Sequence, residues 1–476
     1  MRFLCVLTVL LLASFSSWAP TCALTPNLVE VAQLSPADLE RLVFGDTDHD
    51  GHNEVLLAWH DQSYTFFYSI YEEQGNNVYT EEYRGAESFP LATADLDGDG
   101  KSDLVGQWGS QLQVYESTSA QSYPTELVWT YPVPNFIVPT AVADTDRDGK
   151  MEIIYFLRTG VSSTRMTIFE CAGDNDYRLV YSLPTHNAEN PIIGDFDGDG
   201  RVEIAYCGQL PGHGPCSMTV VESDANDSWN VTFTDSTGLT SGGDGQGGRD
   251  TDGNGRVELF FAGFIGTVRT AVVYEPVGDN AFRRVTRLYY ADQSSGIARS
   301  ALGNIDGVGP EEYLVDGFHG IQVFRPVAPG EWLPVALLPR PLPVYVGLFL
   351  FDVNQNGIPE LFRPSSASDA TPTLVFEQQG IPTSLEDTGV ERPNFIVSPN
   401  PSRGVVTVLA PGAAQAATTL YLFDVAGRLV DRTIQMQDSR GRIVWSPRLP
   451  SSGVYLLRLE TARGGTLETR RVTFIR

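Results

Sequence analysis

The chain has 476 residues, with 32 Lys and Arg against 59 Asp and Glu, a formal net charge of −27, and 46 Gly and 30 Pro. That length exceeds one ordinary domain unless a repeat architecture extends it, and the Gly and Pro content excludes a coiled coil, while 42% hydrophobic residues supply a core. The negative balance excludes nucleic acid and anionic membrane surfaces as partners, because like charges repel on approach.

At the start, Arg2 precedes an apolar run over 3–13, and Thr21 and Ala23 place small residues at −3 and −1 of a cut after Ala23. Residues 1–23 therefore read as a secretory signal peptide. A lipoprotein reading, with Cys22 as the new terminus, is poorly served by Ala19-Pro20-Thr21. No later stretch reaches the roughly 18 apolar residues of a membrane span, so a secreted protein is expected. Cys171, Cys207 and Cys216 remain after cleavage. Cys207 and Cys216 bracket a Gly/Pro-rich loop, and a disulfide between them is expected in an oxidising compartment, with three free buried thiols as the alternative.

From residue 46 onward one acidic segment recurs about every 50 residues. Its first, third, fifth and ninth positions are Asp46, Asp48, Asp50 and Glu54; Asp95, Asp97, Asp99 and Asp103; Asp144, Asp146, Asp148 and Glu152. Asp195, Asp197, Asp199 and Glu203 follow, then Asp250, Asp252, Asn254 and Glu258. A degraded sixth copy keeps Asn304, Asp306 and Glu312 with Val308 at position 5, and a softened seventh has Asp352, Asn354, Asn356 and Glu360. Each copy has an apolar segment before it (89–94, 191–194) and a β-rich one after it (152–156, 258–261), then two further strand-like runs. Four strands per unit predict an all-β, seven-bladed β-propeller over 24–379. The seventh unit lacks a fourth strand, and segment 27–34 resembles the last strand of a unit. The N-terminal strand is thus expected to close the ring and remove the free sheet edges.

Alternate side chains at positions 1, 3 and 5 of a tight turn converge on one point, Gly at 6 permits the bend, and hard carboxylate oxygens suit Ca²⁺. Asp, Asn and Gly also form plain hairpin turns, but that reading does not account for the same carboxylate phase in copy after copy. An EF-hand needs Glu at position 12, where the chain has Leu57, Gly106, Tyr155, Tyr206, Phe261, Val315 and Arg363. About six Ca²⁺ sites are expected, with the sixth loop disfavoured.

The motif D-x-D-x-D-G-x-x-[DE] followed by an apolar strand resembles the FG-GAP and VCBS repeats of integrin-α-like β-propellers, over about 27–379. The resemblance implies that the loop joins the two innermost strands of a blade and binds calcium. The Phe-Gly pair survives only as Phe44-Gly45, and the glycine-rich stretch 241–248 before the fifth loop predicts an irregular inner strand there.

After a linker over 380–393, residues 394–476 carry 11 Arg against 5 Asp and Glu and read as seven short strands, an immunoglobulin-like β-sandwich. Ser398-Pro399-Asn400-Pro401, Asp424-Val425-Ala426-Gly427-Arg428, Ser452-Gly453-Val454-Tyr455 and Arg470-Arg471-Val472 resemble the C-terminal sorting domain of bacterial type IX secretion substrates. That resemblance implies the type IX secretion machinery as a partner and a bacterial cell-surface location. A stalk or adhesion domain is the alternative.

No His-Glu-x-x-His, Gly-x-Ser-x-Gly or Walker loop is present, and Gly243-Asp244-Gly245-Gln246-Gly247-Gly248 leads into an acidic loop rather than a helix. His49 and His52 read as turn positions. At the opposite ends of the second strands sit Trp59, His60, Trp108, Arg158, Phe264, Phe318 and His319, a candidate ligand face or blade-to-blade packing. The sequence thus points to a non-enzymatic, calcium-binding cell-surface module for adhesion to a glycan or protein. A lyase-like, polysaccharide-active enzyme and a structural surface-layer component are the other readings.

Overall fold

The computed structural model describes residues 28–34, 42–60, 66–86, 88–134, 140–158, 163–209, 215–240, 243–266, 268–290, 299–307, 309–316, 320–339, 347–364, 372–378, 396–398, 406–409, 417–424, 428–436, 442–448, 453–461 and 468–474. The expected signal peptide (1–23) and the whole expected linker (380–393) lie outside them. Among the described residues every element is a β-strand, and no helix is long and apolar enough to cross a membrane.

Antiparallel sheets follow one another along the chain. The first contains β2 (Leu42–Gly45), β3 (Glu54–His60), β4 (Phe66–Glu73) and β5 (Tyr79–Ala86), in sequence order. The second contains β6 (Phe89–Ala94), β7 (Asp103–Trp108), β8 (Gln111–Ser117) and β9 (Pro124–Pro132). Next come β10 (Thr140–Ala143), β11 (Glu152–Arg158), β12 (Ser163–Gly173) and β13 (Asp176–Gly194). The long β13 pairs first with β12 and then, from His186 on, with β14 (Glu203–Gln209), which continues into β15 (Ser217–Ala225) and β16 (Ser228–Ser236). It therefore serves two successive units. Two more sheets are β17 (Asp244–Arg249), β18 (Glu258–Ile265), β19 (Val268–Gly278), β20 (Ala281–Tyr289) and β21 (Ser300–Gly303), β22 (Glu312–Asp316), β23 (Gly320–Ala328), β24 (Glu331–Pro339). The last unit holds β25 (Phe349–Phe351), β26 (Glu360–Arg363) and β27 (Thr373–Gln378), and its fourth strand is β1 (Leu28–Leu34), from the other end of the chain. The architecture is propeller-like.

Strand composition explains the layering. Second and third strands are near-continuous apolar runs, because neighbouring sheets cover both their faces; β7 is buried along Asp103–Gln107 and β15 along its first seven residues. Fourth strands such as β16 alternate and face outward. Each third-to-fourth pairing carries a register shift at the same position, between Ile70 and Tyr71, Val114 and Tyr115, Ile168 and Phe169, Val220 and Val221, Val273 and Tyr274, and Val323 and Phe324. The β27–β1 pair repeats it opposite Val375 and Phe376. The non-covalent pair thus copies the geometry of the covalent hairpins.

The glycine-rich inner strand of the fifth unit does form, with a register shift between Gly247 and Arg249. A Cβ at Gly245 would lie 2.3 Å from the Asn190 carbonyl, so glycine there permits close backbone approach.

In the C-terminal module, β28 (Ile396–Ser398), β29 (Val406–Leu409) and β32 (Arg442–Trp445) form one sheet, and β31 (Leu429–Met436), β30 (Ala417–Asp424), β33 (Gly453–Thr461) and β34 (Glu468–Phe474) the other. Val406, Val408 and Trp445 of the first sheet share an apolar cluster with Leu420, Leu457 and Phe474 of the second. The two sheets enclose one core.

Candidate metal centres

Every acidic loop links the first and second strands of its unit, with position 1 just past one strand and position 9 opening the next. Position 6 must be left-handed to make this turn; Gly51, Gly100, Gly149, Gly200, Gly255 and Gly357 have φ of 96°, 86°, 89°, 94°, 83° and 87°. Their N–H groups donate to the position-1 carboxylate at 3.0 Å (Asp46), 3.0 Å (Asp95), 3.1 Å (Asp144), 3.1 Å (Asp195), 2.8 Å (Asp250) and 2.8 Å (Asp352). Asp99, Asp148 and Asp199 N–H each donate to the position-3 carboxylate at 3.2 Å. The loop backbone thereby orients its own acids toward one point. Oxygens of Asp46, Asp48, Asp50 and Glu54 lie within 4.8 Å of one another, as do those of Asp144, Asp146, Asp148 and Glu152, and of Asp195, Asp197, Asp199 and Glu203.

Position 9 makes the strongest demand for a cation. Glu54, Asp103, Glu152, Glu203, Glu258 and Glu360 are at most 1% exposed. One oxygen of each accepts the position-2 N–H: Thr47 at 2.5 Å, Leu96 at 2.8 Å, Thr145 at 2.5 Å, Phe196 at 2.6 Å, Thr251 at 2.6 Å and Val353 at 2.8 Å. The other oxygen of each is buried with no donor. Burial pushes the carboxyls of Glu54, Asp103, Glu152, Glu203 and Glu360 up to about 8 and that of Glu258 to about 7. An ionised carboxylate held this way is costly unless a cation faces it. All donors are hard oxygens, which suits Ca²⁺.

The sequence reading missed two features. Across the sheet from position 9 stands a further acid: Glu72 opposite Glu54, Glu116 opposite Asp103, Glu170 opposite Glu152 and Glu222 opposite Glu203. In the second to fourth units this acid anchors the basic residue at position 7; Lys101 bridges Asp99 at 2.6 Å and Glu116 at 2.8 Å, Lys150 contacts Glu170, and Arg201 reaches Glu222 at 2.7 Å. Second, the outer hairpin of the next unit latches onto position 3. Asn175 N–H donates to Asp97 at 3.0 Å, Asp227 to Asp146 at 2.8 Å, Asn280 to Asp197 at 2.6 Å and Gly330 to Asp252 at 2.5 Å. At the seam between chain ends, Asn77 Nδ2 donates to Glu377 at 3.0 Å and Asn354 Nδ2 to Asn77 at 3.2 Å. His49 is an exposed turn residue, and its ring also spans two units, with Nδ1 3.1 Å from the Ala120 carbonyl and Nε2 3.4 Å from Ser102 Oγ.

Of the candidate ligand face, Trp59 and His60 end β3, Trp108 ends β7, Arg158 ends β11 and Phe264 lies near the end of β18. Trp108 and Phe264 are half-buried, and the Arg269 guanidinium lies 5.5 Å from the Phe264 ring centre. Phe318 and His319 lie outside the described residues. No S–S bond joins Cys207 and Cys216, where a disulfide is expected; both are fully buried thiols, and desolvation pushes the Cys207 thiol up. Gly243–Gly248 folds largely as strand β17, not as a phosphate-binding turn.

An FG-GAP-like repeat family model matches residues 95–155, the second and third loops with their strands. No curated protein matches the sequence significantly. Among solved structures, the chain is similar to PorZ, a bacterial surface component of the type-IX secretion system of Porphyromonas gingivalis, at 15% identity and TM-score 0.40, over 92% of this chain and 60% of that one. It therefore spans less than two thirds of PorZ. The V. cholerae biofilm matrix protein Bap1 follows at 11% identity and TM-score 0.41, over 75% of this chain and 89% of that one. A lectin of Agrocybe aegerita that recognises non-reducing terminal N-acetylglucosamine gives 11% and 0.37, over 83% and 100%.

Proposed function

We propose that the protein is a secreted, calcium-stabilised seven-bladed propeller that binds an extracellular glycan or protein at a bacterial cell surface. Residues 394–476 are its immunoglobulin-like domain, through which the type IX machinery exports it. The observation that carries the calcium reading is the buried position-9 oxygen left without a donor in six loops of the same build. Calcium at these sites is structural: it lowers the pKa of bound water far less than zinc does, so it is a poor generator of hydroxide. Binding belongs to the opposite strand ends, where Trp59, Trp108 and Phe264 lie.

A glycan and matrix-protein array probed with the mature chain in calcium, with any hit incubated and checked for new products, tests the reading. A retained ligand without product is the expected result. Cleavage products would instead make it a lyase-like enzyme, and no binding by calcium-loaded protein would favour a structural surface-layer component.

A further inference from the structure

We propose that in the sixth unit the Arg325 guanidinium takes the place that calcium holds in the other loops, so that this unit carries its own cation. The proposal rests on the calcium reading of those other loops.

Strand pairing puts Glu opposite position 9 in the first four units, and the pairs Leu259–Tyr274 and Leu361–Phe376 set Glu275 opposite Glu258 and Glu377 opposite Glu360. In the sixth unit Tyr313 pairs with Phe324, and the residue facing Glu312 is Arg325. Its Nε donates to Glu312 Oε1 at 2.6 Å, and its Nη2 contacts both Glu312 Oε1 and Asp306 Oδ2. The Glu312 oxygen it takes is the counterpart of the one left without a donor in the other six loops. Asp306, Glu312 and Arg325 are 1%, 0% and 8% exposed, so the three charges satisfy one another away from water.

The chain's topology explains why the exchange falls here. Position 3 of the second to fifth loops receives an N–H from the outer hairpin of the following unit, but the unit after the sixth closes through β27 and β1, which no hairpin joins. Here Arg325 Nη2 contacts the position-3 carboxylate of Asp306. Val308 at position 5 offers no ligand oxygen. A guanidinium stays charged at every physiological pH and suits two carboxylates better than an ammonium would. Ala301, Leu314 and Ile321 of this unit share an apolar cluster with Leu348 and Leu361 of the closing unit. The cation that cannot be chelated therefore sits beside the non-covalent seam.

Native mass spectrometry and hydrogen exchange on the mature chain, in calcium and in EDTA, test this. At most six ions are expected per chain. EDTA should lower amide protection about tenfold or more over 95–108 and 144–158 while 300–316 holds. Arg325→Met should lose protection over 300–316 in calcium and EDTA alike, and Val308→Asp with Arg325→Glu should gain one ion and make 300–316 chelator-sensitive. Seven ions on the wild-type chain, or 300–316 responding to EDTA like the other loops, overturns this proposal alone. No ion uptake at all overturns the calcium reading and the proposal with it.

Discussion

At the scale of single residues, the buried position-9 carboxyls are expected to set a pH dependence that bound metal removes. With folded pKa values near 8 for Glu54, Asp103, Glu152, Glu203 and Glu360, above the unfolded range of about 4 to 4.5, the metal-free folded state binds more protons than the unfolded one. Its stability therefore falls as pH rises from about 5 to 8. The melting temperature in EDTA should drop across that window, and calcium, which competes with the proton, should abolish the drop; a flat profile in EDTA would contradict the burial. Glu152→Gln removes one charge from the third cage and is expected to lower the ion count by one and shrink the calcium-dependent rise in melting temperature. Positions 1, 3, 5, 6 and 9 were legible in the sequence because they lie in one short turn whose geometry is local. The cross-strand glutamates were not. The connections between second and third strands vary in length, from Gly109-Ser110 in the second unit to the longer 210–216 stretch in the fourth, so Glu116 and Glu222 stand at different distances from their loops and only strand pairing aligns them.

At the scale of elements, the shared bulge and the hairpin latch show how one unit is joined to the next. A bulge adds one residue to the fourth strand and turns the outer edge, and the hairpin that follows presents its left-handed residue, Asn175, Asp227, Asn280 or Gly330, to the preceding loop. Only β1 makes this bulge without a covalent turn. Deleting residues 28–34 should therefore cost far more than trimming a terminus normally does, since it bares the N–H and C=O groups of β27 along a full edge. Urea midpoints of the mature chain and the deletion measure this, with aggregation expected of the deletion; equal midpoints and a monomeric deletion would contradict ring closure through β1. The pairing of 28–34 with the last unit was foreseeable because a strand was missing at one end and spare at the other. The His49 bridge to Ala120 was not, because it depends on where the second unit's hairpin lies in space.

At the scale of the whole molecule, the acidic excess of the chain belongs to the residues before 394 and the basic excess to the C-terminal module, whose two sheets enclose a core of their own. Removing residues 394–476 is accordingly expected to leave a propeller with an unchanged calcium-dependent melt while abolishing surface display in the native host, read by fractionation. Display of the truncated chain would refute the export role. The sequence by itself determined the repeat, the all-β composition and the identity of the acidic turns, because strand alternation, turn chemistry and carboxylate spacing are properties of a few consecutive residues. Only the tertiary structure decided that Arg325 faces Glu312, that neighbouring hairpins cap position 3, and that Cys207 and Cys216 stay as buried thiols. Each of these depends on groups brought together by sheet register and unit stacking, and contacts across strands and between units leave no fixed spacing in a chain whose hairpins differ in length.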